Sequence, residues 1–301
     1  MKSWLLPALL LATLVTARAN NNMRDWKTVS GETYRAELLE YNEATQRVTL
    51  RLENRAEIEL GHEEFSTIDR AWLLEWTEFG EEMQAKLEKL GGTITRQTTT
   101  GKYPTGYSVY QPPVSEEAPE AKAKPPLLIL FHPGGNGHRE IIHYIEAAKA
   151  VGMTLVSCEE FRNCGQDDKL EEIMLARFNE ALPQIEAVVP HDEKRVFMGG
   201  CSGGACRAYH YAAKVSRPWA GVYANGGWLG GKKWYGLPFP KMRVAMVNGN
   251  KDEAANYWLD DDSKRLQEAG SPISVHSFEG GHQVPPPSVQ EKSFRWLLSE
   301  E

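Results

Sequence analysis

The chain has 301 residues, of which a quarter are charged and 41 % are apolar, and its formal net charge is −7. That length can bury a full core and leaves room for more than one unit. The acidic balance and the lack of a long Lys/Arg run argue against a nucleic-acid partner. Residues 1–19 stand apart. Lys2 precedes an apolar run, Trp4 to Val15, that is too short for a comfortable membrane span. Ala17-Arg18-Ala19 fits the small-residue cleavage rule, so a signal peptide cut after Ala19 is expected. The mature chain is then expected to be exported, periplasmic or extracellular, with no membrane span.

Residues 25–77 read as one small all-β unit. "QRVTLRLEN" alternates Val48, Leu50 and Leu52 with polar neighbours, and "AEIEL" alternates Ile58 and Leu60. Period-two alternation between polar turns predicts short antiparallel strands with one buried face. "STIDRAWLLEW" predicts a closing helical turn with Ser66 as N-cap and Asp69 three residues on. Trp26-Lys27, Gly31, "AELLEY", "VTLRLEN", "EIEL" and "FSTIDRAWL" resemble a small barrel of SH3 type, in particular the first homology domain of a yeast endocytic adaptor. The resemblance implies the fold and a peptide or protein ligand; a packing or spacer module is the alternative.

Residues 78–104 read as a connector, with "EFGEEMQAKLEKL" a separate helix ending at Gly91-Gly92. From 105 to 301 the pattern changes. "TGYSVYQP" predicts a strand, and "PVSEEAPEAKAKPP" a charged, Pro-rich loop. "LLILFH" is a continuous apolar run, as in a parallel strand buried on both faces. "HREIIHYIEAAKAVG" has helical spacing and a glycine stop, and "MTLVSCE" is the next strand. "DDKLEEIMLARFNEALPQIEAVV" is a long helix, with Pro183 inside it. Strand–helix alternation continues to a final helix, "PSVQEKSFRWLLSE". The pattern predicts a mostly parallel α/β sheet flanked by helices, with its ligand at the carboxyl ends of the strands.

Four strand ends carry chemistry. They are His132-Pro133-Gly134-Gly135, Gly200-Cys201-Ser202-Gly203-Gly204, Gly249-Asn250-Lys251-Asp252 and Gly280-Gly281-His282. The second fits neither G-x-x-x-x-G-K-[ST] nor G-x-G-x-x-G, so a phosphate cradle is excluded. It matches G-x-S-x-G, a tight strand-to-helix turn that exposes a serine nucleophile, and Gly200 and Gly204 leave room for that turn. A serine hydroxyl needs a base, and His282 follows the last strand on a glycine loop. His276 lies within a strand, His210 rides a helix, and His132 is expected to shape its loop. Asp252 is the carboxylate expected to orient His282, with Glu253 its nearest rival. Gly203 N–H is one expected oxyanion donor, and Gly134 or Gly135 supplies the other.

With these residues in hand, 105–301 resembles an α/β-hydrolase, close to exported esterase, dienelactone-hydrolase and polyester-depolymerase-like groups. The resemblance rests on "HPGGNG", "GGCSGG", "NGNKD" and "GGH". It implies a serine hydrolase of carboxylesterase type, working through a Ser202–His282–Asp252 triad and an acyl-enzyme, with no metal or organic cofactor. The implied partner is a small-molecule or polymer ester. A serine peptidase of the same fold, or a silent scaffold, is the alternative. Pro133 stands where many such proteins have glycine. Trp228 is the expected substrate contact, in an aromatic loop with Trp234 and Tyr235. The family's strand order also sets Cys158 and Cys201 two strands apart, about 9.6 Å, beyond a usual disulfide. Cys158–Cys164, or free thiols with Cys206 among them, remain.

Overall fold

The computed structural model describes residues 23–113, 124–163, 167–231 and 236–299. The signal-peptide reading at 1–19, Cys164, and Trp234-Tyr235 lie outside the described residues.

Four strands form the first sheet, an antiparallel meander in the order β1-β2-β3-β4. They are β1 (Arg24–Lys27), β2 (Thr33–Asn42), β3 (Arg47–Leu52) and β4 (Glu57–Gly61). Alternation along them buries Trp26, Ala36, Leu38, Val48 and Leu50 in a small core of their own, joined by Phe65 and Leu73. After β4 a 3-10 turn, His62–Glu64, sends the chain back to β1. There Val29 N–H donates to Glu64 O at 2.9 Å and Ser66 N–H to Lys27 O at 2.7 Å. The return covers backbone that would otherwise be an open sheet edge.

The next element differs from expectation. The closing turn and the separate helix are one helix, α1 (Thr67–Leu90), capped where Asp69 N–H donates to Ser66 Oγ at 3.3 Å. No proline interrupts it, and its interior Gly80 costs only about 1 kcal/mol relative to alanine. Its two halves serve two cores: Leu73 packs with the first sheet, while Phe79 and Met83 pack under the second. The stretch expected as a connector, 78–104, is therefore helix followed by an edge strand, β5 (Thr93–Thr98). The second sheet thus begins before residue 105.

That sheet has eight strands in the order β12-β11-β10-β9-β7-β8-β6-β5. After β5 come β6 (Gly106–Gln111), β7 (Leu127–Phe131), β8 (Thr154–Cys158) and β9 (Val196–Cys201). Then come β10 (Gly221–Asn225), β11 (Arg243–Gly249) and β12 (Ile273–Phe278). β6 runs antiparallel to both its neighbours, and every other pair is parallel. The connecting helices are α2 (Gly137–Glu140), α3 (Ile145–Val151) and α4 (Asp168–Val188). They are followed by α5 (Gly203–Lys214), α6 (Glu253–Glu268) and α7 (Pro287–Leu298). One face packs against Phe178, Tyr211 and Leu266, and the other against Met83, Ile145 and Phe294. Burial on both faces is why β7 and β8 read as unbroken apolar runs. This is the α/β-hydrolase fold.

The single helix expected at 138–152 is broken by a 3-10 turn, Ile141–His143, between α2 and α3. Glu140, Ile141, Ile142, Tyr144 and Ile145 are all buried, more than one stripe of a regular helix presents to a core. With β7 lying between β8 and β9, Cys158 and Cys201 end on strands two apart. Both thiols are free, as is that of Cys206. The Cys158–Cys164 pairing falls partly outside the described residues.

Candidate active site

The turn from β9 into α5 is tightly constrained. Ser202 sits at φ 55°, a left-handed conformation that a side chain rarely adopts. Its N–H is held by Asn225 O on the neighbouring strand at 2.7 Å. A side chain on Gly200 would come within 3.0 Å of the Gly204 carbonyl carbon, and one on either glycine would overlap Phe131 O. The turn closes only because neither residue has a Cβ. Ser202 is half-buried.

Two neighbouring loops bring in the acid and the imidazole. Asp252 is buried and caps α6, where its Oδ1 accepts Ala255 N–H at 3.1 Å. Its Oδ2 faces His282 Nδ1 at 2.8 Å. The loops after β11 and β12 are laced together: Asn250 N–H donates to Phe278 O and Lys251 N–H to Gly280 O, both at 2.8 Å. Gly280 N–H returns a bond to Asn250 Oδ1 at 3.1 Å. This lacing fixes the carboxylate relative to the ring. With Nδ1–H given to Asp252, Nε2 is left as the basic nitrogen. The His282 side chain is 40 % exposed while that of Asp252 is 2 % exposed, so the ring opens to solvent on the side away from its partner.

Gly226-Gly227, just past β10, stands between the pair and the serine. A side chain on Gly226 would come within 3.2 Å of both Asp252 Oδ2 and His282 Cε1, and one on Gly227 within 2.9 Å of Ser202 O. The first of these adjacent glycines thus borders the acid–imidazole pair and the second borders the Ser202 backbone.

The glycine loop after β7 is built around His132. Its Nδ1 accepts Gly134 N–H at 3.0 Å and Asn136 N–H at 3.2 Å, while its carbonyl accepts Gly135 N–H at 3.0 Å. Burial, with His143 nearby, holds the His132 imidazole below its ordinary range and so keeps that nitrogen free to accept. Trp228 is half-buried in the loop after β10. That loop is tied down where Leu229 N–H donates to buried Asp262 Oδ2 at 2.8 Å.

Two groups near the turn were not singled out in the sequence. Glu140 is buried beneath the turn, accepts Tyr144 O–H at 3.0 Å and takes the Cys201 backbone N–H. Burial pushes its carboxyl up to about 7, against the pull of those hydrogen bonds. The spacing of Glu140 and Tyr144, one helical turn, was the available signal. Arg207 is buried on α5 and donates to Glu171 Oε2 at 3.0 Å, Glu171 Oε1 at 3.2 Å and Arg162 O at 2.7 Å. Burial also raises the Cys201 thiol to about 12 and the Cys206 thiol to about 11, so neither is a thiolate near neutral pH.

A second serine–histidine contact lies elsewhere. Ser108 Oγ on β6 and His138 Nδ1 on α2 are 2.7 Å apart. Ser108 is 0 % exposed, and Phe79 of α1 packs edge-on against the imidazole at 5.2 Å. Burial, with Arg96 nearby, pushes His138 down to about 3. Among the described residues no carboxylate hydrogen-bonds this ring, and no substrate reaches a hydroxyl sealed on every side. Among the described residues, too, no cluster of three His, Cys, Asp or Glu has the arrangement of a metal site. None of the described helices is long and apolar enough to cross a membrane.

No family model matches the sequence, and no curated protein matches it. Solved structures match in fold. An esterase from Mycobacterium marinum, LipW, is 16 % identical, with a TM-score of 0.56 over 73 % of this chain and 86 % of that one. An arylesterase is 12 % identical, with a TM-score of 0.53 over 72 % of this chain and 88 % of its own. An S-formylglutathione hydrolase from Agrobacterium tumefaciens is 15 % identical, with a TM-score of 0.51 over 69 % and 95 %. These are likenesses of fold, and all three proteins are hydrolases by name.

Proposed function

We propose that this protein is a serine hydrolase that cleaves carboxylic esters, with Ser202 as nucleophile, His282 as base and Asp252 as its partner. The observation that carries the reading is the 2.8 Å bond between His282 Nδ1 and Asp252 Oδ2, with Gly226-Gly227 bordering both that pair and the backbone of the strained turn at Ser202. Ser202 Oγ attacks the ester carbonyl carbon as its proton passes to His282 Nε2. Asp252 keeps the ring in one tautomer and stabilises the imidazolium. The carbonyl oxygen, now an alkoxide, is met by Gly203 N–H, which has no intrahelical acceptor because Gly203 opens α5. Collapse expels the alcohol, which takes the proton from His282. Water then repeats the sequence on the acyl-enzyme and releases the acid.

Trp228, which follows Gly227 in the loop past β10, is the proposed substrate contact. The N-terminal sheet is read as a barrel of SH3 type, supported by the return of residues 64–66 to β1. Its occupant is a peptide or protein, and residues 1–19 are an export signal. The test is to assay residues 20–301 on p-nitrophenyl and feruloyl esters and aminoacyl amides, alongside fluorophosphonate labelling. Ester turnover and labelling that vanish in Ser202→Ala support the reading. Turnover that survives Ser202→Ala overturns it, and turnover of amides alone assigns a peptidase.

A further inference from the structure

An alkoxide in such a site needs two donors, and the loop expected to supply the second has none free. The N–H groups of Gly134 and Asn136 are given to His132 Nδ1, that of Gly135 is given to His132 O, and Pro133 has none. Another group stands next to the first donor. A side chain on Gly203 would overlap both Oδ1 and Nδ2 of Asn163, so the carboxamide fills the space that a Cβ would take. Gly203 thus has a role beyond the turn: it makes room for an amide beside its own N–H.

Asn163 is not on a loose loop. Its N–H donates to Pro133 O and Glu160 N–H donates to Gly135 O, both at 2.8 Å. Arg207 Nη2 holds Arg162 O at 2.7 Å, and Arg177 Nη1 meets Glu160 Oε2 at 2.7 Å. Backbone bonds to the glycine loop and a buried guanidinium on α5 therefore fix the backbone from which the exposed Asn163 side chain projects. A donor carried on a backbone held in advance needs less reorganisation as charge develops.

We propose that the Asn163 carboxamide is the second oxyanion donor, in place of Gly134 or Gly135. The proposal rests on the Ser202 reading above. In the attack step Nδ2–H donates to the carbonyl oxygen as it becomes an alkoxide. No bond to Asn163 is made or broken, and the hydrogen bond strengthens as the charge forms.

The test uses residues 20–301 with Asn163→Ala, Asn163→Asp and Gly203→Ala/Asn163→Ala, a p-nitrophenyl ester and a trifluoromethyl ketone. The ketone forms a charged hemiketal on Ser202. Asn163→Ala is expected to lower kcat on the order of 100- to 1000-fold with KM within about 3-fold. Ketone affinity should fall in proportion to kcat/KM, and Asn163→Asp should be at least as impaired. The double variant removes the overlap at Gly203 and should stay as slow as Asn163→Ala. An Asn163→Ala enzyme within about 3-fold of the parent in kcat, or one whose kcat falls while ketone affinity holds, overturns the proposal. So does recovery in the double variant, which would mark a packing role. A parent protein that fluorophosphonate does not label at Ser202 overturns the underlying reading, and this proposal with it.

Discussion

Two serine–histidine combinations among the described residues invite comparison: Ser108 and His138, which are in contact, and Ser202 and His282, the proposed nucleophile and base. Ser108 and His138 make a short hydrogen bond, yet the hydroxyl is fully buried and Phe79 packs edge-on against the half-buried ring. His282 is bonded to a buried carboxylate instead and keeps a solvent-facing side, while Ser202 stands on a strained turn at the mouth of the sheet. A contact between hydroxyl and imidazole is thus not what identifies a nucleophile. Access, a fixed tautomer and a strand-end position separate the two. In the first pair a buried hydroxyl and a half-buried imidazole satisfy one another's hydrogen-bonding needs. In the second the imidazole keeps a face open to solvent, as the proposed role requires.

The largest test of this contrast removes each hydroxyl in turn. Ser202→Ala is expected to lower kcat on the order of a million-fold, to background. Steady-state rates on a p-nitrophenyl ester measure it, and a loss under about 10-fold would place the nucleophile elsewhere. Next in size, Asp252→Asn keeps the shape but donates where the carboxylate accepted. It should force His282 into the wrong tautomer and lower kcat about 10,000-fold, with fluorophosphonate labelling slowed in parallel. A pH-independent, near-parental rate in Asp252→Asn would break the assignment.

The third test addresses the buried pair through stability. Burial moves His138 from 6.5 down to about 3, so the unfolded chain binds a proton that the folded one does not across that window. Stability contributed by His138 is present above the ordinary value and lost as pH falls through the window, by about 2 kcal/mol at pH 5. His138→Asn should therefore lose less stability than the parent between pH 7 and pH 5, by about that amount in urea unfolding. An equal loss in both proteins would mean that His138 titrates normally. The smallest effect is Ser108→Ala. It should leave kcat within about 2-fold and cost about 1–3 kcal/mol of stability, since one buried ring nitrogen loses its partner. A large loss of kcat in a folded Ser108→Ala would erase the distinction between the pairs.

Much of this was legible in the residues. Period-two alternation at Val48, Leu50 and Leu52 marked the small sheet, and unbroken apolar runs marked the buried strands. G-x-S-x-G at 200–204 placed a serine in a turn whose glycines now have named neighbours. Boundaries were harder. The joining of two helical stretches into α1 left no local mark, since what decides it is a rod shared by two cores. The break between α2 and α3 was equally hidden, because burial around most of that segment overrode its helical periodicity.

The sequence by itself determined the elements, their alternation and the candidates at the strand ends, because local sterics and periodicity are written residue by residue. Only the tertiary structure decided which polar groups meet. Asp252 and His282 lie 30 residues apart and meet because two loops are hydrogen-bonded to each other. Asn163 comes to rest against Gly203, and Glu140 beneath Cys201, through loop and helix placements that no spacing rule encodes. The glycine loop, legible as a donor, gives the N–H groups of Gly134 and Asn136 to the His132 ring, which folds back over it, and that of Gly135 to the His132 carbonyl.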